Sequence, residues 1–474
     1  MKRRTFLEAS TVILGTGSLN AHLVYAAKSE CSKQGMTVKA GFARVSITPP
    51  LGTKMMGFGT RDMEHGCKDV HDDLHVRALF LEQGEQTVLI MGYDLCFLGR
   101  EETDRYRGAI GRVLDLHPEQ IIMNTSHNHV GPSVGTWYSA GYEMPDRLYL
   151  DQLERATVAA ALEARKSMRE VTLWTGVTRS ALPMNRRRKM DHGGIENRPN
   201  PDGYVYDKLP ICLFKDSDGK PVCLLFSVSC HPSMMSGFDI SAEYPGAAMR
   251  LLDKHLGAAC SLFLQGVGGD AKPSVIGRGG VDRWQPGTWE LMEEAGAMIA
   301  NETIETLNSG LLQIEPDILS ASVEMSWPLE PAPPRSHFEK IVADTAPENR
   351  PKNVRYTWAK NVLERLDLGY ALPTSVTLSA QGVQLGNGLR IIGIEGEATA
   401  PWGKFIEDFY GNGLTVPLGY CNGTGLYLPT SDMLPEGGYE VVSFWEYGLP
   451  SQLAPGMEEE VHTALVQLRD RGIT

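Results

Sequence analysis

Short apolar runs broken by polar turns recur along the chain and alternate with stretches of helical periodicity. The first residues to read as structure, Lys39–Pro50, form a strand stopped by Pro49-Pro50. Leu74–Leu81 and Thr87–Tyr93, joined by Gln83-Gly84-Glu85-Gln86, predict a β-hairpin. Residues 101–116 place Tyr106, Ala109, Ile110, Val113 and Leu114 on one helical face, and Ile121-Ile122-Met123 then reads as a short buried strand. Residues 87–123 are thus a strand–helix–strand crossover, which sets two parallel strands side by side. Further on come a helix over 148–167 and a strand at 171–174. Strands at 211–214 and 222–228 flank the hairpin signal Asp216-Ser217-Asp218-Gly219. A helix from Pro245-Gly246 to Leu256, closed by Gly257, leads to a strand at 261–264, the same device a second time.

A helix follows Thr288 and ends near Gly310; residues 328–336, rich in proline, read as a surface connection. The hairpin Val383–Ile394, a short helix from Pro401 to Gly411, a strand at 416–420 and a terminal helix near 457–470 complete the pattern. The expectation is an α/β fold: layered mixed β-sheets flanked by helices, with a site at strand carboxyl ends, where open α/β sheets bind ligands.

Composition adds bounds. With 42% hydrophobic and 22% charged residues the chain has ample material for a core, and a formal net charge of −13 argues against nucleic-acid binding by bulk attraction. Met1-Lys2-Arg3-Arg4-Thr5-Phe6-Leu7, a weakly apolar stretch and Ala26-Ala27 predict a twin-arginine-type export signal over residues 1–27. Asn20, His22 and the interspersed glycines and serines argue against a transmembrane helix. Residues 28–474 are expected to form one large domain, periplasmic or secreted. An oxidising compartment permits disulfides among the eight cysteines, yet Cys212 and Cys223 sit in apolar runs and no CxxC pair occurs. Oligomeric state is not legible.

Chemistry-bearing residues collect after strands. In Asn124-Thr125-Ser126-His127-Asn128-His129-Val130-Gly131-Pro132, two histidines one residue apart would face the same side of an extended backbone, as a metal pair or as ordinary loop histidines. His231 follows the strand at 222–228, Glu397 follows the strand at 389–394, and Tyr427 lies in Asn422–Thr430. His₂Glu is a ligand set that catalytic zinc uses. The basic run Asn185-Arg186-Arg187-Arg188-Lys189 reads as a loop, its charges solvated or one arginine turned inward onto a carbonyl or anion. Asp94 is equally a partner for a ligating histidine or a structural strand-end carboxylate.

Taken together and in order, Ala40–Pro50, Asn124–Pro132, His231-Pro232-Ser233-Met234, Gly396-Glu397-Ala398-Thr399 and Asn422–Thr430 resemble the catalytic domain of the neutral/alkaline, non-lysosomal ceramidases. The resemblance implies Zn2+ bound by His127, His231, Glu397 and Tyr427, with His129 and Arg186 contacting the substrate amide. It implies an enzyme that hydrolyses an amide bond of a ceramide-like or other small N-acylated substrate with zinc-activated water. A zinc esterase or deacetylase acting on a carbohydrate-derived substrate, and a metal-containing binding protein without turnover, are the alternatives. Two departures matter. Gly269-Asp270-Ala271-Lys272-Pro273 carries Lys272 where the family has a catalytic serine. That lysine would hold a substrate anion, act on the leaving group, or remain a solvated charge. The family's extra carboxyl-terminal β-domain is expected to be missing.

Overall fold

Alternation of apolar residues to both sides of the central strands requires cover on both faces, and two stacked sheets supply it. A computed structural model describes residues 37–58, 61, 65–134 and 145–474; the export-signal segment lies outside them. The larger sheet has nine strands. Its main path runs Ser261–Gln265, Pro221–Val228, Lys208–Asp216, Arg169–Arg179, Val38–Ser46, His75–Gln83, Gln86–Tyr93, Ile121–Thr125, and Leu312–Ile314 pairs beside Arg169–Arg179. The smaller has four: Pro316–Pro328, Ser375–Gly386, Leu389–Ile394 and Leu414–Leu418. Leu79, Leu81, Ile90, Ile122 and Leu262 of the first meet Val383, Leu385, Ile391 and Val416 of the second in a buried middle layer.

The residues between them in sequence point outward. Ala78, Phe80, Leu89 and Met91 take the helices Arg100–Leu114 and Arg147–Lys166. Leu213, Leu224 and Phe226 take Glu243–Leu256 and Trp289–Ser309. On the far side Val323, Met325, Trp327 and Ile392 pack against Pro401–Tyr410 and Met457–Asp470. The layers are therefore helix, sheet, sheet, helix, as the alternating pattern predicts.

Three strand–helix–strand crossovers are parallel: Leu89↔Ile121, Leu224↔Ser261 and Leu389↔Leu414 open their registers. Their carboxyl ends meet at Asn124. Its Nδ2 donates to Gly419 O (2.8 Å) and Gln265 O (3.2 Å), and its Oδ1 accepts from Gln265 N (2.7 Å). One buried carboxamide thus satisfies backbone groups from the ends of two other crossovers. Asn422 works alongside, its Oδ1 accepting from Met123 N (3.0 Å).

Two expectations need correction, and the open alternative at Asp94 is resolved. Residues 185–189 are not a loop: Pro183–Lys189 is a strand between Ile195–Asn200 and Ala271–Pro273. Its charges are tolerated because Arg186 and Arg187 are buried against Glu440 rather than solvated. The backbone after Thr125 is not extended either; His127 has φ 65°, and this left-handed residue brings the two imidazoles together. Asp94 turns to Arg77 Nη1 (2.7 Å) and His75 N (2.9 Å), so it is a structural carboxylate and touches no candidate ligand. The strand Pro316–Pro328 escaped the sequence reading although Ala321, Val323, Met325 and Trp327 alternate with polar residues. All seven described cysteines are unpaired and buried.

Replacing Asn124 with alanine strands the amide and carbonyl of Gln265 and the carbonyl of Gly419 in a dry interior. We predict a loss of about 3 kcal/mol, read as a lower melting temperature; an unchanged melting temperature would remove Asn124 from this role.

Candidate metal centre

Each crossover end delivers one part of a buried cluster. His127 follows Ile121–Thr125, His231 follows Pro221–Val228, and Glu397 opens the short strand Glu397–Ala398 after Leu389–Ile394. That short strand pairs in parallel with Tyr427–Leu428, setting Glu397 opposite Tyr427. Gly396 (φ 119°) makes the turn into it, and Gly269 packs so closely that a Cβ there would lie 2.5 Å from the Glu397 carbonyl oxygen.

The result is a convergence of lone pairs. His127 Nε2 lies 3.1 Å from Glu397 Oε2, and His231 Nε2 lies 3.2 Å from the same oxygen. Both histidines are oriented by backbone carbonyls: His127 Nδ1 donates to Cys96 O (2.9 Å) and His231 Nδ1 to Gly268 O (2.7 Å). A carbonyl only accepts, so Nδ1 carries the proton on each neutral ring and each Nε2 presents an unprotonated lone pair. Glu397 Oε2 is buried and makes no hydrogen bond, while Oε1 accepts from Tyr447 Oη (2.6 Å). Three acceptors facing one another repel unless a cation lies among them. The donor set therefore fits a metal ion, and His127, His231 and Glu397 are the residues able to hold one.

Electrostatics agree with a neutral His231 and an ionised carboxylate. Burial, with the charge of Arg186 next, pushes His231 down to about 3. Burial would raise Glu397, but positive charge at the His127 and His231 positions outweighs it and holds the carboxyl well below its usual range.

Around the cluster stand the other residues singled out in sequence. Tyr427 Oη is 3.2 Å from His231 Nε2, and burial raises its phenol well above the ordinary value. His129 Nε2 lies 3.1 Å from His127 Nε2; burial and then the neighbouring imidazoles keep it well below its normal pKa. Its carbonyl accepts from Arg61 Nη2 (2.8 Å) and Phe58 meets its ring edge-on at 4.7 Å. Arg186 stacks over the Tyr427 ring at 5.3 Å, and its Nη2 is buried without a partner. Lys272 stands on the strand beside Arg186, opposite Met184. A cavity of about 410 Å³ brings His129, Arg186, Lys272 and Tyr427 to one surface.

Several organising residues gave no sequence signal. Glu440, on a four-residue helix, binds Arg186 Nε (2.8 Å) and Arg187 Nη1 (2.7 Å) with one carboxylate. Tyr447 orients Glu397. Tyr420 (φ 56°) lays its ring 4.6 Å from His127. Glycine-rich Gly437-Gly438 ahead of Glu440 reads as a loop, and nothing local ties these residues to partners hundreds of positions away.

A helix–sheet–sheet–helix fold with a buried His₂-carboxylate cluster at its carboxyl edge is the class that fold and site define. Two solved structures share that fold. Neutral ceramidase from Pseudomonas aeruginosa superposes with a TM-score of 0.68 at 14% identity, over 92% of this chain and 75% of that one. A ceramidase complexed with C2 gives 0.69 at 14% identity, over 92% and 76%. The chain thus has the neutral ceramidase fold. No protein-family model and no curated protein matches it in sequence.

Two outcomes are predicted. Tyr447→Phe leaves Glu397 less firmly held and should weaken metal binding by about 10-fold, measured by competition with a chelator; equal affinity would exclude the orienting role. Glu440→Gln leaves the buried Arg186 without a carboxylate, and Arg187 with Glu436 alone, and should cost about 3 kcal/mol. Burial would raise Glu440, but Arg186 and Arg187 outweigh it and lower its pKa. Its contribution is therefore full above the unfolded value of about 4.3 and is lost as pH falls through the lower folded value. The melting difference from wild type should hold near neutrality and close in acid; a difference that grows in acid contradicts it.

Proposed function

We propose that this protein is an exported zinc-dependent amidohydrolase acting on a lipid-like or other small N-acylated substrate. The observation that carries the reading is the meeting of two unprotonated imidazole nitrogens and an unbonded carboxylate oxygen beside a cavity, in a chain with the neutral ceramidase fold. When bound, zinc would bring the pKa of a coordinated water near 7 and polarise the scissile carbonyl.

The chain's own residues supply the rest. His127, His231 and Glu397 would hold the ion, and Tyr427, whose phenol faces His231 Nε2, would serve as a further ligand or as a donor beside it. Arg186 enters the cavity with one donor free, its guanidinium fixed from behind by Glu440. It is placed to donate to an amide oxygen as negative charge develops there, and His129 can donate alongside it. Arg186 is pre-organised because Glu440 and the Tyr427 ring restrict it before substrate arrives. The amino-terminal twin-arginine pattern supports export, and among the described residues no helix is long and apolar enough to cross a membrane.

The test is acyl release from N-acyl substrates by the purified full chain. Chelation should abolish turnover and zinc should restore it, with His127→Ala inactive and poor in metal. Arg186→Lys should keep its metal and lose about 100-fold in kcat. Turnover that survives complete metal removal would sink the proposal.

A further inference from the structure

Lys272 presents an ammonium group to the same cavity with no protein anion to match it. Among the described residues it forms no ion pair and no side-chain hydrogen bond; its contact is the face of Trp284, 5.5 Å from the ring centroid. Carboxylates nearby are engaged elsewhere. Glu440 is shared by Arg186 and Arg187, Asp270 accepts from Ala400 N (2.8 Å), and Glu243 accepts from Met234 N and Met235 N (both 3.1 Å). Glu446 is the one carboxylate among the described lining residues, and it accepts from Tyr439 Oη (2.9 Å). Asn197, held by Trp284 Nε1 (2.9 Å), adds a neutral amide beside the lysine.

With Arg186 Nη2 also unpartnered, this side of the cavity offers open cationic donors inside a protein whose net charge is −13. A partly buried ammonium held against an aromatic face, with no counter-ion from the chain, is suited to an anion that arrives with the ligand. A neutral lipid amide offers none.

We propose that Lys272 makes this cavity selective for an oxyanion, so that the N-acyl substrate carries a carboxylate or sulfate near its scissile amide. This deepens the amidohydrolase reading and rests on it. Lys272 is then a specificity-determining residue, standing where the ceramidase resemblance expects a serine.

The experiment compares kcat/KM within matched pairs: N-acyl amino acids against the corresponding N-acyl amines, and O-sulfated N-acyl amino sugars against unsulfated ones. Wild type should favour the anionic member of at least one pair by about 10- to 100-fold, and the pair that responds identifies the oxyanion. Lys272→Gln should bring that ratio near one through KM, and Lys272→Arg should keep it above one. Lys272→Glu should invert it when the anion is replaced by an ammonium group, an outcome a structural role would not produce. A wild-type ratio of one or less in both pairs, or a ratio unmoved in Lys272→Gln, overturns the proposal. If no pair is turned over, the hydrolase reading fails and calorimetry with N-acetyl amino acids and a sulfated N-acetyl amino sugar decides the subsite. Binding of either at least 10-fold weaker in Lys272→Gln upholds it; equal binding, or none to wild type, overturns it.

Discussion

Three parallel crossovers have to end at one place, and the carboxamide of Asn124 is what holds them there. Strand ends leave amides and carbonyls without ladder partners, and in a dry interior each such group is costly. Asn124 offers a donor pair and an acceptor on one short side chain, and it spends them on Gln265 and Gly419. The ligand-bearing turns begin within a few residues of these ends. Their separation is therefore set by backbone hydrogen bonding across two sheets, before any side chain in the site is considered.

The site above that junction is built from charges and lone pairs that would be unfavourable singly. Backbone carbonyls of Cys96 and Gly268 fix the tautomers of two histidines, and Tyr447 fixes one oxygen of Glu397, leaving the other to face them. A similar economy governs the arginines: Glu440 neutralises the back of Arg186 while its front remains open. Backbone strain is concentrated here as well, with His127, Tyr420 and Asn422 all left-handed. Such conformations persist only where packing over-determines them, and the close contacts around Gly269 and Gly396 are that packing.

Much of this order was written in local pattern. The apolar runs 74–81 and 87–93 with the turn between them, the helical period of 101–116 and the capping signals at Thr288, Gly257 and Gly411 placed most elements near their observed bounds, because those features depend on neighbours within a few residues. The basic run at 185–189 was misread for the opposite reason. Its strand is stabilised by Glu440, some 250 positions later, and by pairing with Ala271–Pro273, neither of which composition can announce. His127 and His129 were matched to one pocket by an extended backbone that does not exist; a left-handed turn does it instead.

By itself, then, the sequence determined the alternation of layers, the crossovers and the chemical types waiting at their ends, since periodicity and turn chemistry are local properties. Tertiary structure alone decided which of those groups meet. It set Glu397 between His127 and His231, gave Asp94 to Arg77 instead, and left Lys272 facing a cavity without a counter-ion. The physical reason is that lone pairs and charges act over a few ångströms in space, and the residues that share this site are separated by hundreds of positions along the chain.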